Sequence, residues 1–225
     1  MERKPERRSK RQSKVFFQNM SSTPPSESPT GSASRHILVF CASSGSCEAH
    51  FHDAAAALGR AIAGAGHVLV YGGGAVGSMG ALADGALAEG GEVIGIIPRF
   101  MRELEWAHTG LSELRLVEDM QTRKRDMLAC SDAIVTLPGG TGTFEELFEA
   151  MTSKRLGLYP KPIIILNQQR FYDPLFRLLE SSISERFMNE AHLKLWHAVE
   201  RVEEILPAID AVADWPTNAV EFATR

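Results

Sequence analysis

The sequence predicts an α/β domain built on a doubly wound parallel sheet, and three observations carry that prediction. Short apolar runs alternate with longer amphipathic stretches from His36 to about Asp210, the pattern of strands joined by helical crossovers. The runs are continuously apolar, as in Ile37-Leu38-Val39-Phe40 and Ile163-Ile164-Ile165-Leu166. They therefore suit strands covered on both faces, not strands with one wet face. Glycine-rich turns follow two of the runs directly, at Gly72-Gly73-Gly74 and Gly139-Gly140.

In chain order, strand 36–42 precedes a helix over 48–65, closed by Gly64 and Gly66. Strand 67–71 runs into the Gly72–Gly80 loop and a helix over 78–89, stopped by Gly90-Gly91. Strand 92–97 ends at Pro98, and residues 99–112, with Trp106 and His108, read as a loop. Strand 114–118 leads to a helix that carries Arg123 and runs to Cys130. Strand 132–137 opens onto Pro138-Gly139-Gly140 and a helix from Phe144 to Leu156. Strand 162–166, a helix over 173–188, a short strand over 195–199 and a helix over 201–210 complete a single domain, 35–212. Residues 213–225 read as a C-terminal tail. Residues 1–34 read as a disordered N-terminal tail. Met1 to Lys14 carry seven Lys/Arg against two Glu, and the Ser/Pro-rich stretch that follows has nothing to bury. A basic tail suits nucleic acid or a lipid surface, but a solvated tail is the simpler expectation.

The 225 residues are 44% hydrophobic, enough for a core, and a net charge of −4 gives no argument for nucleic acid. No apolar run approaches the roughly 20 residues of a membrane span. Arg7-Arg8 is followed by no hydrophobic region, so export is not expected. Cys41, Cys47 and Cys130 share no metal-ligand spacing, and an odd count suits a reducing, cytoplasmic setting. Cys41 and Cys130 read as small core residues and Cys47 as more exposed. His50-x-His52 lacks a third ligand and the i, i+4 spacing of a helical metal site, so both read as surface histidines. His108 reads as a structural hydrogen-bonding group, and Met120, Met127 and Met151 as core filler. No metal and no cofactor is expected.

Leu137-Pro138-Gly139-Gly140-Thr141-Gly142-Thr143-Phe144-Glu145-Glu146 is the most informative segment. A glycine-rich turn between strand and helix presents backbone N–H groups and the positive end of the helix dipole to an anion. Thr141 and Thr143 add hydroxyls, and Glu145 and Glu146 are expected in the first helical turn. Adjacent residues point about 100° apart on a helix, so only one of the two faces the cradle. Gly72-x-Gly74-x-x-Gly77 matches a dinucleotide fingerprint, but the next strand ends in Pro98-Arg99 and not in an acidic residue, which argues against NAD. A tight turn without a ligand remains open for that loop. Arg123 and Lys124 sit near a helix start, where cations do not help the helix. They read either as a solvated basic turn or as a cationic wall, Arg123 binding a planar anion through two parallel bonds and Lys124 acting as a point charge. Ser43-Ser44, the Gly72 loop, the Arg123 helix start and the Pro138-Gly139-Gly140 turn all follow strands, so they meet on one sheet edge.

Four segments, in order, resemble the motifs of the LOG-like cytokinin riboside 5′-monophosphate phosphoribohydrolases, often mislabelled lysine decarboxylases. Pro138-Gly139-Gly140-x-Gly142-Thr143-x-x-Glu146 is similar to the family's PGGxGTxxE signature. Val39-Phe40-Cys41-Ala42-Ser43-Ser44, the segment Val70–Gly80 and Asp119–Met127 are similar to its first strand and serine turn, its second glycine loop and its DMHxRKxxM helix start. Gln121 stands where the family usually has His. The resemblance covers about His36 to Asp210 and implies a Rossmann-like domain, a cytoplasmic homodimer, no nucleic-acid or membrane partner, and a small nucleotide substrate. It implies hydrolysis of the N-glycosidic bond of an N6-substituted adenosine 5′-monophosphate. It further implies Arg123 and Glu146 as catalytic, with Ser43, Ser44, Gly73, Gly74, Met79, Lys124, Gly139, Gly140, Thr141, Gly142 and Thr143 binding substrate. The alternative expectation is a non-catalytic carrier or sensor of a phosphorylated ligand, since molybdenum-cofactor carrier proteins resemble the same fold.

Overall fold

Seven parallel strands run in the spatial order β4-β3-β2-β1-β5-β6-β7 in the computed structural model, which describes residues 33–104, 106–216 and 218–219. They are β1 (His36–Phe40), β2 (Val68–Tyr71), β3 (Val93–Pro98), β4 (Glu113–Val117), β5 (Ala133–Thr136), β6 (Ile163–Leu166) and β7 (His197–Val199). The chain starts at the centre, winds outward to β4, then returns to the other side of β1. The strand order therefore reverses between β1 and β5, which pair in register from Ile37↔Ala133 to Phe40↔Thr136. The crevice outside the carboxyl ends of these two strands is where such sheets hold ligands.

Alternation along β1 sorts the core into two layers. Ile37 and Val39 join α1 (Ala49–Gly64), α2 (Gly77–Ala88) and α7 (Ile205–Ala211) through Leu58, Ile62, Leu82 and Ile209. Leu38 and Phe40 join α4 (Met120–Ala129), α5 (Thr141–Arg155) and α6 (Asp173–Ser184) through Met127, Leu147, Met151 and Leu179. Each fully buried Leu or Ile contributes roughly 1.5–3 kcal/mol relative to exposure, so both faces must be covered. No described helix is long and apolar enough to cross a membrane.

Four boundaries differ from the sequence expectation. Residues 99–112 contain a short helix, α3 (Arg99–Glu103), where a loop is expected; Pro98 precedes it in extended backbone and starts it without a side-chain cap. Helix α5 begins at Thr141, because Gly140 takes an extended capping conformation and the following Thr-Gly-Thr is already helical. Helix α6 stops at Ser184, where Arg186 turns left-handed (φ 65°) and Phe187 and Met188 donate to the carbonyl of Ser182. The last expected helix, 201–210, is split into a 3₁₀ turn, Val202–Glu204, and α7.

The expected N-terminal tail lies, up to residue 32, outside the described residues. The expected C-terminal tail is docked at its start. Trp215 donates its backbone N–H to Pro160 at 2.6 Å, and its ring, 7% exposed, packs with Leu195 and Ala219. Trp215→Ala is accordingly expected to destabilise the protein by about 3 kcal/mol, the scale of emptying a buried aromatic site, read as a lower urea midpoint with unchanged slope.

Candidate active site

A cavity of about 530 Å³ lies over the carboxyl ends of the central strands. Cys41 to Ser44 enter it from β1, Gly72, Gly74 to Val76 and Met79 from β2 and the start of α2. Ile97, Met101 and Trp106 enter from β3 and beyond, Met120 and Arg123 from α4, and Gly140 to Thr143, Glu145 and Glu146 from α5. Of the residues singled out from the sequence, Ser43, Ser44, Gly74, Met79, Arg123, Gly140, Thr141, Gly142, Thr143 and Glu146 thus converge. Gly73, Lys124 and Gly139 are not on the cavity wall. Gly73 turns (φ 77°) against Ile97 and Leu114, Gly139 sits beneath the Thr143 side chain, and Lys124 points to α5 instead.

Helix α5 brings its open N-terminus to the cavity. Its first-turn N–H groups have no intrahelical acceptor, no side chain caps them, and Gly140, Thr141 and Gly142 are exposed. Because the helix starts at Thr141, no acidic residue falls in the first turn; the expectation for Glu145 and Glu146 there is corrected. The positive helix end is left for an external anion, and Glu146 is set a turn deeper.

Arg123 is 5% exposed and its guanidinium is anchored by backbone. Nε donates to the carbonyl of Ile96 at 3.0 Å and Nη2 to that of Gly72 at 2.9 Å, while Nη1 lies 3.8 Å from Met120 Sδ. This corrects two expectations. Met120 is a cavity residue and not core filler, whereas Met127 and Met151 are core. The Nε/Nη2 edge of Arg123 is engaged with protein, so the expected parallel clamp on an anion is not available through that edge; the remaining N–H groups are. Glycine at position 72 leaves room for both side-chain ends, since a Cβ there would collide with Nη2 of Arg123 and with the tip of Met79. Asp119 caps α4 by accepting from the N–H of Thr122 at 2.7 Å, which fixes where Arg123 leaves the helix.

Glu146 is 7% exposed. Burial raises its pKa to about 7, against the opposing pull of the Arg123 charge. Burial lowers the Arg123 pKa, with Glu146 and Glu145 acting the other way. Burial and the nearby Glu146 charge push the Cys41 thiol well above its ordinary value, so Cys41 lines the site as a neutral thiol and not as a nucleophile.

Trp106 and the residues after it form a strap over the second glycine loop, within the 99–112 stretch whose sequence reads as a loop. Gly74 and Ala107 form an antiparallel bridge. Ala75 donates to the carbonyl of Trp106 at 3.0 Å, and His108 donates its backbone N–H to Gly73 at 2.9 Å. The strap thereby adds Met101 and Trp106 to Met79, Ile97 and Met120 as an apolar wall. The only prior signal was an aromatic and methionines beside a glycine loop. His108 has the expected structural role: its Nδ1 accepts from the N–H of Gly110, leaving Nε2 to donate to Asp84 at 3.1 Å. His50 and His52, expected at the surface, are half-buried. His52 lies between Cys47 Sγ (3.4 Å) and Ser78 Oγ (3.2 Å), and the His50 ring meets that of Phe51 at a tilt of 44°. Among the described residues no cluster of three or more His, Cys, Asp or Glu is placed to hold a metal ion.

Fold and site together define a Rossmann-like α/β protein with its ligand cavity at the topological switch point. The family model described as "Possible lysine decarboxylase" matches residues 79–209. A probable cytokinin riboside 5′-monophosphate phosphoribohydrolase of Oryza sativa subsp. japonica is 43% identical over 152 residues, 68% of each chain. An enzyme named as that phosphoribohydrolase in Rhodococcoides fascians is 43% identical over 158 residues, 70% of this chain and 80% of its own. One from Arabidopsis thaliana is 36% identical over 209 residues, 88% of this chain and 97% of its own. Among solved structures, the molybdenum cofactor carrier protein of Chlamydomonas reinhardtii superposes with a TM-score of 0.61 at 22% identity, over 80% of this chain and 98% of its own, a likeness of fold alone. The protein TM1055 superposes at 0.62 with 26% identity, over 79% of this chain and 99% of its own. The chain belongs to the LOG-like phosphoribohydrolase family and is a hydrolase of that family.

The buried carboxylate has a consequence for stability. An acid whose pKa is raised by folding binds its proton more tightly in the folded state. Its charged form therefore weakens the fold as pH rises from 4.5, the unfolded value, through about 7. Glu146→Gln is expected to stabilise the protein at pH 8 by on the order of 1–3 kcal/mol, with the gain shrinking toward pH 5. Melting curves of both proteins at the two pH values measure it.

Proposed function

We propose that the protein hydrolyses the N-glycosidic bond of adenosine 5′-monophosphates, N6-substituted ones and AMP itself, releasing the free base and ribose 5-phosphate. The observation that carries this assignment is a buried carboxylate, Glu146, beside a buried guanidinium, Arg123, one helical turn behind the open N-terminus of α5. The relatives named as cytokinin riboside 5′-monophosphate phosphoribohydrolases support the same substrate class.

The 5′-phosphate docks on the first-turn N–H groups of α5, with the hydroxyls of Thr141 and Thr143 and the turn at Ser43-Ser44 around it. The bond from C1′ to the base breaks with positive charge building on the ribose. Ionised Glu146 stabilises that charge and orients water, whose hydroxyl joins C1′ while a proton passes to the leaving base. Arg123 holds its charge in a fixed place because two of its donors are tied to backbone carbonyls; its free N–H groups face the ribose. Met79, Ile97, Met101, Met120 and Trp106 line the end suited to an apolar N6 group. Cytoplasmic location and a homodimer complete the proposal.

Substrate comparison and single substitutions test it. Adenosine, which lacks the phosphate, is expected to be a far poorer substrate than AMP in a base-release assay; equal turnover removes the phosphate cradle. Glu146→Gln is expected to lose about 10²-fold or more in single-turnover base release, the scale of deleting a charge-stabilising group, while keeping AMP affinity. Arg123→Lys is expected to fail as well, because an ammonium cannot reach two carbonyls and the cavity at once. Glu145→Gln is expected to cost far less. Retention of a fluorescent pterin with no base release from any nucleotide would instead make the protein a carrier.

A further inference from the structure

The sequence pairs two cations, Arg123-Lys124, with two anions, Glu145-Glu146, and the fold interlocks them. Consecutive helical residues point about 100° apart. Helix α4 therefore turns Arg123 into the cavity and Lys124 toward α5, where its ammonium meets both Glu145 and Glu149. Glu145 and Glu149 are an i, i+4 pair on one face of α5, and Lys124, only 6% exposed, sits between them. Burial works against this ammonium, but hydrogen bonds and charge from the two carboxylates outweigh it and hold its pKa above the usual lysine value.

Building on the hydrolytic assignment above, we infer that Lys124 is a positioning residue that acts through Glu146: wedged between Glu145 and Glu149 on α5, it neutralises the carboxylates flanking Glu146 and so keeps Glu146 available in its ionised form. The charged and titratable groups acting on Glu146 come from three elements. Arg123 and Lys124 on α4 favour its ionised form, and Glu145 and Glu149 on its own helix oppose it. The Cys41 thiol faces it from the end of β1.

The ion cluster gives a test that a purely structural tie does not pass. Breaking the same contact from its two ends has opposite electrostatic effects on Glu146. Lys124→Met removes a cation and leaves two carboxylates uncompensated, so Glu146 ionises at higher pH. Glu145→Gln or Glu149→Gln removes an anion, so Glu146 ionises at lower pH. The measurement is a ¹³C titration of glutamate-labelled, ligand-free protein, with Glu146→Gln identifying the resonance. Lys124→Met is expected to raise the midpoint by about 0.5–1 pH unit, Lys124→Arg to keep it, and Glu145→Gln and Glu149→Gln to lower it. In parallel, base release from AMP by Lys124→Met is expected to fall about three- to eightfold at pH 6.5 and to recover toward wild type at pH 9.

Midpoints that stay fixed, or that move in the same direction from both ends of the contact, overturn the inference. A rate loss in Lys124→Met that pH does not relieve also overturns it. Should Lys124→Met not fold, the Lys124→Arg, Glu145→Gln and Glu149→Gln titrations decide alone. Wild-type protein that releases no base, with the midpoints of the four variants falling where expected, removes the hydrolytic assignment and leaves the electrostatic control of Glu146 by Lys124 standing.

Discussion

The arrangement rests on one constraint: a carboxylate and a guanidinium are both buried at the carboxyl edge of the sheet. Ionised groups removed from water require partners with good geometry. Arg123 finds two of them in carbonyls beyond its own helix, one on β3 at Ile96 and one at the end of β2 at Gly72. Glycine at position 72 leaves room for this anchoring, since a Cβ there would meet Nη2 of the guanidinium and push it aside. Among the described residues no hydrogen bond ties Glu146 in the same way, and its burial raises its pKa to about 7. The site keeps a fixed cation beside an anion that burial makes expensive, which is the arrangement of a group whose charge is wanted only when a ligand arrives.

The sheet explains why the parts meet. Winding outward from β1 and returning beside it as β5 puts the serine turn and the α5 N-terminus side by side, although almost a hundred residues separate them in sequence. Paired strands in register from Ile37 to Phe40 hold this junction, and no loop has to be ordered to create it. Tyr172 adds a brace from below: its hydroxyl donates to the carbonyl of Leu137 at 2.7 Å, where the chain enters the Pro138-Gly139-Gly140 turn.

Much of this was legible in the residue pattern. Continuous apolar runs mark β1, β2, β3, β5 and β6, because a parallel strand covered on both faces leaves that trace, whereas the outer strands β4 and β7 are mixed and partly exposed. The convergence of four post-strand segments followed from parallel topology alone. What escaped had physical causes. The start of α5 was placed late because Gly140-Thr141-Gly142 looks like punctuation, although a helix N-terminus tolerates such residues freely. Lys124 looked like a substrate contact because sequence shows charge but not direction, and a rotation of about 100° on the helix sends it to α5. Met120 looked like filler because core and cavity walls draw on the same apolar residues. Helix α3 and the Trp106 strap left no periodic signal, being too short, and the strap is held by backbone bonds that any sequence makes.

That strap divides the cavity into two territories with different histories open to them. Its bonds to the glycine loop run through main-chain atoms of Gly73, Ala75, Trp106 and His108, so side chains at 101 and 106 are free to drift without loosening it. Trp106, 51% exposed, carries no hydrogen-bonded or charged duty at the reacting end. Single substitutions at 101 and 106 thus reshape the apolar wall while leaving the bonds that anchor Arg123 in place. A fold partitioned in this way diversifies in what it accepts far more readily than in what it does.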